Sequence, residues 1–377
     1  MLSRLKRSLD WTLIVTALLI ILYGMVAISS ATHATSPSVP DPLLYVKRQI
    51  VWAILGWIGA LALISWRYEE LARYSWWVYG GAFLMLLAVL IVGHEALGAQ
   101  RWIRLGPFIF QPSEFAKLAL VTSLGSFLAQ REGRLRGLKD LLPVFTFVAP
   151  LFLLVMKQPD LGTSLVFIAI TIGMLYVAGA PARLLLLLVG GGLSLAVAWI
   201  WAHFRFGVWI PMKEYQLNRI TVFIDPWSDW QGAGYQVIQS QIAIGSGGIW
   251  GRGLYQGSQS QLNFLPEQHT DFIFSVVGEE LGFCGSAFLL LLYFLLLFRG
   301  IKIMVEAKDT YGRLLAAGII SMIAFQVFVN IGMTMGVMPA VGIPLPLFSY
   351  GGSSMIVNLA SIGLLENIYR RSRRLLF

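Results

Sequence analysis

An all-α polytopic membrane protein is the fold class that the sequence predicts, and three observations predict it. Hydrophobic residues make up 57% of the 377 residues and charged residues only 12%. The mean hydropathy is +0.73, far above that of an ordinary soluble domain. Ten apolar windows are long enough for transmembrane helices, and the 28 basic residues lie mainly between alternate windows. The net charge of +9 therefore indicates membrane topology, and no nucleic-acid partner is expected.

The ten transmembrane helices are predicted from hydropathy and length. Their windows are 11–29, 47–66, 74–93, 113–130, 141–156, 161–179, 183–203, 271–298, 312–336 and 349–369. An even number of spans places both termini on one side of the membrane. Basic clusters at residues 4–7 and 370–374 predict that this side is the cytoplasm. The first window is too long for the core of a signal peptide, so we expect the first helix to be retained.

Residues 204–270, between the seventh and eighth windows, form a segment too long to be a simple connection. Its Trp, Tyr and Gly content argues against disorder, and the pattern of residues 235–244 suits a short interfacial helix. The other connections are mostly short. The sequence therefore predicts a single integral membrane domain, residues 1–377, with one long extracytoplasmic loop at 204–270.

The eighth window begins with a carboxylate. From Asp271 to Phe298 only Glu279 and Glu280 interrupt the apolar sequence, which predicts one helix of roughly 42 Å. That length exceeds the hydrocarbon core of about 30 Å. We therefore expect the first turns to stand at the outer interface, with Asp271 at the boundary between water and lipid. Ionisable residues are costly there, which makes Asp271 a functional candidate.

On a continuous helix, one narrow stripe would carry Asp271, Ser275, Gly278, Gly282 and Gly285. Small residues let a second helix pack closely. The same stripe would also serve as a furrow for a lipid chain whose polar head reaches the carboxylate, and both can hold along different parts. The two glutamates of this window fall elsewhere on the helix, where we expect them to make buried polar contacts.

Polar residues also gather at the start of the fourth window. Glu114 and Lys117 are three residues apart and share a helix face, and Asp160 precedes the sixth window. One interpretation is an ion pair between Lys117 and Asp160 that joins helices four and six. The other is a cationic site for a diphosphate, with Lys117, Arg101 and Arg104 as ligands.

A loop with three prolines and no charge, residues 338–350, leads into the last window. The backbone amides after Gly351 and Gly352, together with Ser353 and Ser354, are placed to receive an anionic head group at a helix start. A glycine–serine helix entry without a ligand is the alternative.

Other classes of site lack the necessary residues. The four histidines lie in different segments without metal-ligand spacing, and Cys284 is the single cysteine, so neither a protein-built zinc site nor a disulfide framework is expected. No Walker motif or dinucleotide fingerprint is present, which argues against ATP-driven transport. His269 lies two residues before Asp271 and is expected to be a loop residue, with a direct catalytic role as the alternative.

Six motifs in the chain resemble those of the shape, elongation, division and sporulation family of polytopic peptidoglycan polymerases. They lie at 98–103, 111–117, 158–163, 234–248, 265–274 and 344–354. The resemblance implies that Asp271 is the family's essential loop aspartate and Trp102 its functionally important tryptophan. It also implies that Lys117 and Asp160 lie in the family's central cavity. The short termini favour the elongation branch over the division and sporulation branches.

The resemblance implies a glycosyltransferase that polymerises lipid II at the outer face of the cytoplasmic (inner) membrane. Its implied partners are the elongation machinery and a class B penicillin-binding protein that crosslinks the strands. The donor sugar is linked through diphosphate to a polyprenyl chain, and Asp271 is the expected general base for the acceptor hydroxyl. Inversion at the anomeric carbon needs no covalent intermediate. The expected substrate-binding residues are Trp102, Arg101, Glu114, Lys117, Asp160, Ser353 and Ser354.

No built-in cofactor or metal site is expected. The leaving diphosphate needs positive charge beside it, which Lys117, Arg101 or a divalent cation such as Mg²⁺ or Mn²⁺ can supply. The sequence leaves these alternatives open.

A lipid II flippase or transporter is the second hypothesis, because ten helices and buried charges would serve it equally well. Transporter sites concentrate near the bilayer midplane, whereas Asp271, Trp102, Glu114 and Asp160 are predicted towards the outer face. A third hypothesis, an enzyme like the O-antigen ligases, shares the long outer loop but not the six motifs.

Overall fold

The computed structural model describes residues 9–33, 41, 43–96, 99–105, 108–210, 212–262 and 264–373. The basic residues at positions 4–7, Gly98, Asn263 and Arg374, which entered the sequence predictions, lie outside the described residues. The chain is mostly helical. In order, the helices are α1 (Trp11–Ala31), α2 (Leu44–Ser65), α3 (Tyr68–Arg73), α4 (Ser75–Val92), α5 (Pro112–Ala129), α6 (Leu138–Lys157), α7 (Leu161–Val177), α8 (Ala182–Phe206), α9 (Glu214–Ile224), α10 (Ala233–Gly247), α11 (Ser258–Gln261), α12 (Ile273–Glu280), α13 (Gly282–Val305), α14 (Thr310–Thr334) and α15 (Gly352–Arg373).

Each predicted window contains a helix. Within the described ranges, seven of these helices are long and apolar enough to cross a membrane by length and composition: α1, α2, α4, α6, α8, α13 and α14. Helix α7 is apolar but shorter. Helices α5 and α15 carry buried polar side chains, including Lys117 and Glu366, which lowers their hydropathy. The protein is a multi-pass membrane protein.

Helix α14 lies at the centre of the bundle. Most of its residues are buried, and it contacts α5, α7 and α13. Helix α8 is the opposite case, because only Leu185 of its 25 residues is buried. Exposed apolar residues along α8 and the outer sides of α2 and α4 are compatible with lipid as the surrounding solvent.

The prediction of one continuous eighth helix is wrong. Asp271 lies in a turn before α12, and Leu281 separates α12 from α13. Gly282 has a φ of +65°, a conformation that glycine adopts without strain. The amides of Phe283 and Cys284 donate to the carbonyls of Gly248 and Ile249, at 2.9 and 3.1 Å. These bonds to the segment 204–270 replace helical ones, so tertiary contacts explain the break.

Helix α10 packs along the stripe of small residues. Ser275 Oγ lies 2.6 Å from Ser240 Oγ, and a Cβ added at Gly278 would come within 3.0 Å of Ile244 Cγ1. The close-packing interpretation is therefore confirmed for this stretch. A lipid furrow is wrong here because protein occupies the space.

A small antiparallel sheet precedes α5, and no strand is predicted there from the sequence. The strands are β1 (His94–Ala96), β2 (Ala99–Leu105) and β3 (Phe108–Phe110), with β2 in the middle. In β2, Trp102 is opposite His94 and Ile103 opposite Phe110. Strands β1 and β3 have three residues each, too few for an alternating pattern to be read. The sheet brings β2 to the head of α5.

Two buried glutamates hold the segment 204–270 against α12. Glu279 accepts hydrogen bonds from the amides of Gln259 at 2.8 Å and Ser260 at 3.1 Å. Glu280 Oε1 accepts from Ser30 Oγ at 2.7 Å and from Ser260 Oγ at 3.2 Å. The expected buried polar contacts are therefore present. Residues 235–244, where a short helix is expected, lie within α10, and the position of this helix at the membrane interface stays a prediction.

Candidate active site

A cavity of about 760 Å³ opens between β2, the first turns of α2, α5 and α7, helix α9, and the loops before α12 and α15. The structure places on its wall the expected general base and every residue expected to bind the substrate. These are Arg101, Trp102, Glu114, Lys117, Asp160, Asp271, Ser353 and Ser354. Arg104, considered as a phosphate ligand, is exposed and is not among the lining residues. Segments far apart in sequence therefore converge on one site.

Lys117 is neutralised within its own helix. Its Nζ donates to Glu114 Oε1 at 2.7 Å, and both side chains are buried. The predicted ion pair between Lys117 and Asp160 is wrong, because among the described residues Lys117 pairs with Glu114 and Asp160 with Arg101. The three-residue spacing puts Glu114 within reach of the ammonium on one helix face.

Asp160 has two other roles. It caps α7, because its Oδ1 accepts from Thr163 N at 3.1 Å and its Oδ2 from Thr163 Oγ1 at 2.9 Å. Ser113 Oγ donates to Oδ2 at 3.3 Å and thereby links α5 to α7. Arg101 Nη1 lies 3.9 Å from Oδ1, and Arg101 Nε donates to the Gln158 carbonyl at 3.1 Å. The carboxylate thus positions β2 against the start of α7.

The turn that carries Asp271 is held by its backbone. The amides of Thr270 and Asp271 donate to the Glu267 carbonyl at 3.1 and 3.2 Å. Asn330 Nδ2 donates to the Asp271 carbonyl at 2.9 Å and to the Ile343 carbonyl at 2.7 Å. These bonds tie the turn to α14 and to the loop before α15. The Asp271 side chain therefore projects into the cavity from a fixed backbone.

The surroundings of Asp271 raise the pKa of its carboxyl group above the ordinary value. Burial is the largest cause and raises its pKa to about 6, and the negative charge of Glu267 acts in the same direction. Arg219 and Arg101 oppose this shift. A carboxylate whose pKa is near 6 is mostly ionised at neutral pH and still basic enough to accept a proton from a hydroxyl in a transition state.

Ser353 and Ser354 lie in the first turn of α15, at the cavity wall. Ser353 Oγ accepts from the Gln111 amide at 3.0 Å, and Ser354 Oγ accepts from Asn358 Nδ2 at 3.1 Å. Trp102 is half-buried on β2. The helix start and the indole therefore line the same space as the carboxylates.

The model of the cell cycle protein family, whose label joins FtsW, RodA and SpoVE, matches residues 10–374. The chain belongs to this family. The resemblance that the six motifs indicate is thereby confirmed.

Relatives named for three branches of the family have similar identities. The chain is 40% identical to the peptidoglycan glycosyltransferase MrdB of Escherichia coli, over 98% of this chain and 96% of that one. It is 39% identical to stage V sporulation protein E of Bacillus subtilis, over 98% of this chain and 99% of that one. It is 37% identical to a probable peptidoglycan glycosyltransferase FtsW of Geobacter, over 97% of each.

Solved structures have the same fold. A chain from a peptidoglycan synthase complex, described as coordinating polymerization and crosslinking, matches with a TM-score of 0.78 and 36% identity, covering 97% of this chain and 99% of that one. The rod shape determining protein RodA of Thermus thermophilus matches with a TM-score of 0.70 and 33% identity, covering 97% and 98%.

Sequence reasoning missed several residues of the cavity in this family member. Arg48 and Arg219 line it, and neither is within 4 Å of a carboxylate among the ion pairs of the described residues. Gln326 of α14 is fully buried at the wall, and its amide has no hydrogen-bond partner in the described part of the chain. The signal in the sequence is the basic residues in the segments that are predicted to lie outside, Arg48 and Arg219 among them.

His269 lies outside the wall of the cavity. Its ring packs against Tyr45 and Tyr350, with centroids 4.9 and 5.7 Å apart, and it is not among the residues that line the cavity. Burial lowers its pKa, so the imidazole is neutral at pH 7. The position fits the expectation of a loop residue.

Proposed function

We propose that this family member is a peptidoglycan glycosyltransferase that polymerises lipid II, with Asp271 as the general base. One observation carries the proposal: a carboxylate with a raised pKa projects from a fixed turn into a cavity that contains more cations than carboxylates. The lining includes five Lys or Arg side chains and four Asp or Glu side chains. An excess of positive charge suits a diphosphate substrate. Relatives named as peptidoglycan glycosyltransferases support the same activity.

The proposed step is a direct displacement. The acceptor hydroxyl attacks the anomeric carbon of the donor sugar, and its proton passes to the Asp271 carboxylate. The bond between the anomeric carbon and the diphosphate oxygen breaks, and its electron pair leaves with the diphosphate. The configuration inverts, and no covalent enzyme intermediate is needed.

Stabilisation of the leaving diphosphate is assigned to the cations of the cavity. Arg48 and Arg219 are the strongest candidates because their charges are not neutralised by a carboxylate in the described ion pairs. Arg101 and Lys117 contribute from β2 and α5. Among the described residues no group of three His, Cys, Asp or Glu side chains is placed to hold a metal ion. We therefore assign any Mg²⁺ or Mn²⁺ to the substrate diphosphate, and polymerisation in the presence of a chelator tests its contribution.

We propose that residues 1–377 form one integral domain of the cytoplasmic membrane, with ten spans, cytoplasmic termini and residues 204–270 outside. The distribution of basic residues supports this topology. The turn at Asp271 then lies at the outer face, where the peptidoglycan is built.

We propose an elongation role of the RodA type, with a class B penicillin-binding protein as partner. Two findings support it. The chain resembles one from a complex described as coordinating polymerization and crosslinking, and it is 40% identical to E. coli MrdB. Division-type and sporulation-type relatives are nearly as similar, so complementation of strains depleted of each type is the test of the branch.

The decisive experiment is lipid II polymerisation by the purified protein with its crosslinking partner. Asp271→Asn keeps the size of the side chain but removes the base, and a loss of ~10²–10⁴-fold is expected. Binding of lipid II and of the partner should persist. Asp225→Asn, in an exposed part of the same outer segment, is the matched control. If Asp271→Asn polymerises within a few-fold of wild type, the base must be sought at Glu114, Asp160 or Glu267.

A lipid II flippase is the second candidate, and one observation favours it. The polar wall of the cavity reaches Lys117 and Gln326, both fully buried among the helices, as a transport path requires. The same preparation distinguishes the two functions. Normal polymerisation by Asp271→Asn combined with arrested lipid II movement across vesicles would replace the enzymatic proposal with transport.

A further inference from the structure

A second, smaller cavity of about 260 Å³ lies beside the first. It is bounded by α9, the N-terminal turn of α10, the turn before α12, the end of α14 and the loop after it. The two cavities share four lining residues, which are Tyr215, Arg219, Asp271 and Gly342. Asp271 therefore faces both cavities.

The chemistry of the two walls differs. The larger cavity has Lys47, Arg48, Arg101 and Lys117 in addition to the shared Arg219. In the smaller one, Arg219 is the only cation among the lining residues, and Asn218 and Gln236 supply neutral amides. Diphosphates need several cationic donors, whereas amides suit the hydroxyl and acetamido groups of a sugar. With a single cation and two amides, the smaller wall therefore suits a sugar better than a diphosphate.

One of these amides, that of Asn218, is held in place by a hydrogen bond. Asn218 Nδ2 donates to Asp229 Oδ2 at 2.6 Å, which fixes the orientation of the Asn218 side chain. Phe272 and Met333 supply apolar surface on another part of the wall. Binding sites for drug-sized molecules measure roughly 300–1,000 Å³, so the smaller cavity is suited to about one sugar ring.

Gly342 marks the passage between the cavities. A Cβ built there would lie 3.2 Å from Asp271 Oδ2 and 3.9 Å from Arg219 Nη1. The carboxylate and the guanidinium therefore approach the same backbone position, and the glycine leaves space for both. A base at such a passage can take a proton from a nucleophile on one side while the electrophile lies on the other.

We propose that the smaller cavity is the acceptor subsite, which binds the terminal amino sugar of the acceptor and directs its hydroxyl at Asp271, while the larger cavity holds the donor diphosphate. This inference rests on the proposed glycosyltransferase function and assigns the two substrates to the two sides of one carboxylate. The acceptor oxygen forms its bond to the donor anomeric carbon at the passage. The proton goes to Asp271, and the diphosphate leaves into the cationic cavity.

The test is a pair of binding titrations with the full-length protein in detergent. The probes are the lipid-free, phosphate-free disaccharide of lipid II and a polyprenyl diphosphate without a sugar. Gln236→Ala should weaken disaccharide binding by about fivefold to tenfold, as expected for one lost hydrogen bond, and leave the diphosphate probe within about twofold. Arg48→Ala should weaken binding of the diphosphate probe and leave disaccharide binding within about twofold. Gln239→Ala is the matched control, because Gln239 lies on the same helix and is not a lining residue of either cavity.

A second variant tests whether the disaccharide occupies the smaller cavity. Ala340 lines the smaller cavity and not the larger one, so Ala340→Leu should fill the smaller cavity and exclude the disaccharide. The diphosphate probe should still bind, which also shows that the protein remains folded. The assignment is overturned if Gln236→Ala and Ala340→Leu leave disaccharide binding unchanged, if they weaken both probes equally, or if wild type polymerises lipid II without binding the disaccharide. Failure of wild type to polymerise lipid II, by contrast, refutes the proposed function whatever the titrations show.

Discussion

Lys117 Nζ lies 2.7 Å from Glu114 Oε1, one turn earlier on the same helix, and both side chains are buried. Removal of either partner leaves an uncompensated charge, at a typical cost of about 3–5 kcal/mol. We expect Glu114→Gln and Lys117→Met each to lower the thermal midpoint in detergent, and the double variant to lose less stability than the sum. A double-mutant cycle on the free energy of unfolding measures this coupling.

The control cycle joins Lys117→Met with Asp160→Asn. Because Asp160 pairs with Arg101 and caps α7, its loss should add to that of Lys117 within about 0.5 kcal/mol. Strong coupling in this cycle and none with Glu114 would contradict the arrangement of charges.

The rate of polymerisation should rise with pH through about 6, since burial raises the pKa of Asp271 to about 6 and only the ionised carboxylate accepts a proton. Glu267 contributes to the upward shift. Glu267→Gln should therefore move the acidic limb of the rate profile to lower pH. Arg219→Gln should move it to higher pH, because the guanidinium lowers this pKa. Rate–pH profiles of the purified variants provide the measurement.

Glu214→Gln serves as the control, since Glu214 is exposed on the same outer segment and lines neither cavity. Its profile should coincide with that of wild type. An unchanged limb in both Glu267→Gln and Arg219→Gln would show that the titrating group is not Asp271.

Gly342→Ala should reduce polymerisation by roughly 10²-fold, the cost of a displacement of about 1 Å in a catalytic group. Gly342 has a φ of +72°, which is unfavourable for alanine, and the added Cβ would press on Asp271 Oδ2 at 3.2 Å. Gly245→Ala is the control, because nothing lies within 4 Å of a Cβ there. Full activity of Gly342→Ala at normal stability would mean that the carboxylate does not need its present position.

Glu279→Ala should release the outer loop. The carboxylate accepts from the amides of Gln259 and Ser260, so hydrogen–deuterium exchange of the segment 251–262 should become faster in the variant. Exchange in α10 should change less, because α10 is also bonded through Ser240 to Ser275 and to the Thr334 carbonyl. Protection of 251–262 equal to that of wild type would show that Glu279 does not hold the loop.

Labelling of single cysteines tests the topology. In a Cys284→Ser background, an impermeant reagent should modify Gln231→Cys in intact spheroplasts and Lys308→Cys only after the inner face is opened. Both positions are exposed, so access by the reagent depends on the side of the membrane. The reverse pattern would overturn the outer position of residues 204–270 and the enzymatic proposal with it.

The sequence by itself determined the apolar helices and the polar residues that interrupt them. Hydropathy and length are local properties, so every predicted window contains a helix, with Leu161–Val177 and Ser75–Val92 close to their predicted bounds. The polar residues that interrupt these windows, such as Glu114, Lys117 and Asp160, stand out because an apolar environment makes them costly. Their unusual positions were sufficient to nominate the residues that now line one cavity.

Only the tertiary structure decided which of these residues meet. Lys117 takes its partner from its own helix because Glu114 is within reach there, and the hydropathy of the window does not distinguish Glu114 from Asp160. The break at Gly282 depends on carbonyls of Gly248 and Ile249, more than thirty residues away. The passage at Gly342 likewise requires three segments to converge. The hydrophobic pattern of a segment indicates whether that segment is buried. The pairing of side chains depends on packing between segments that are far apart in the sequence.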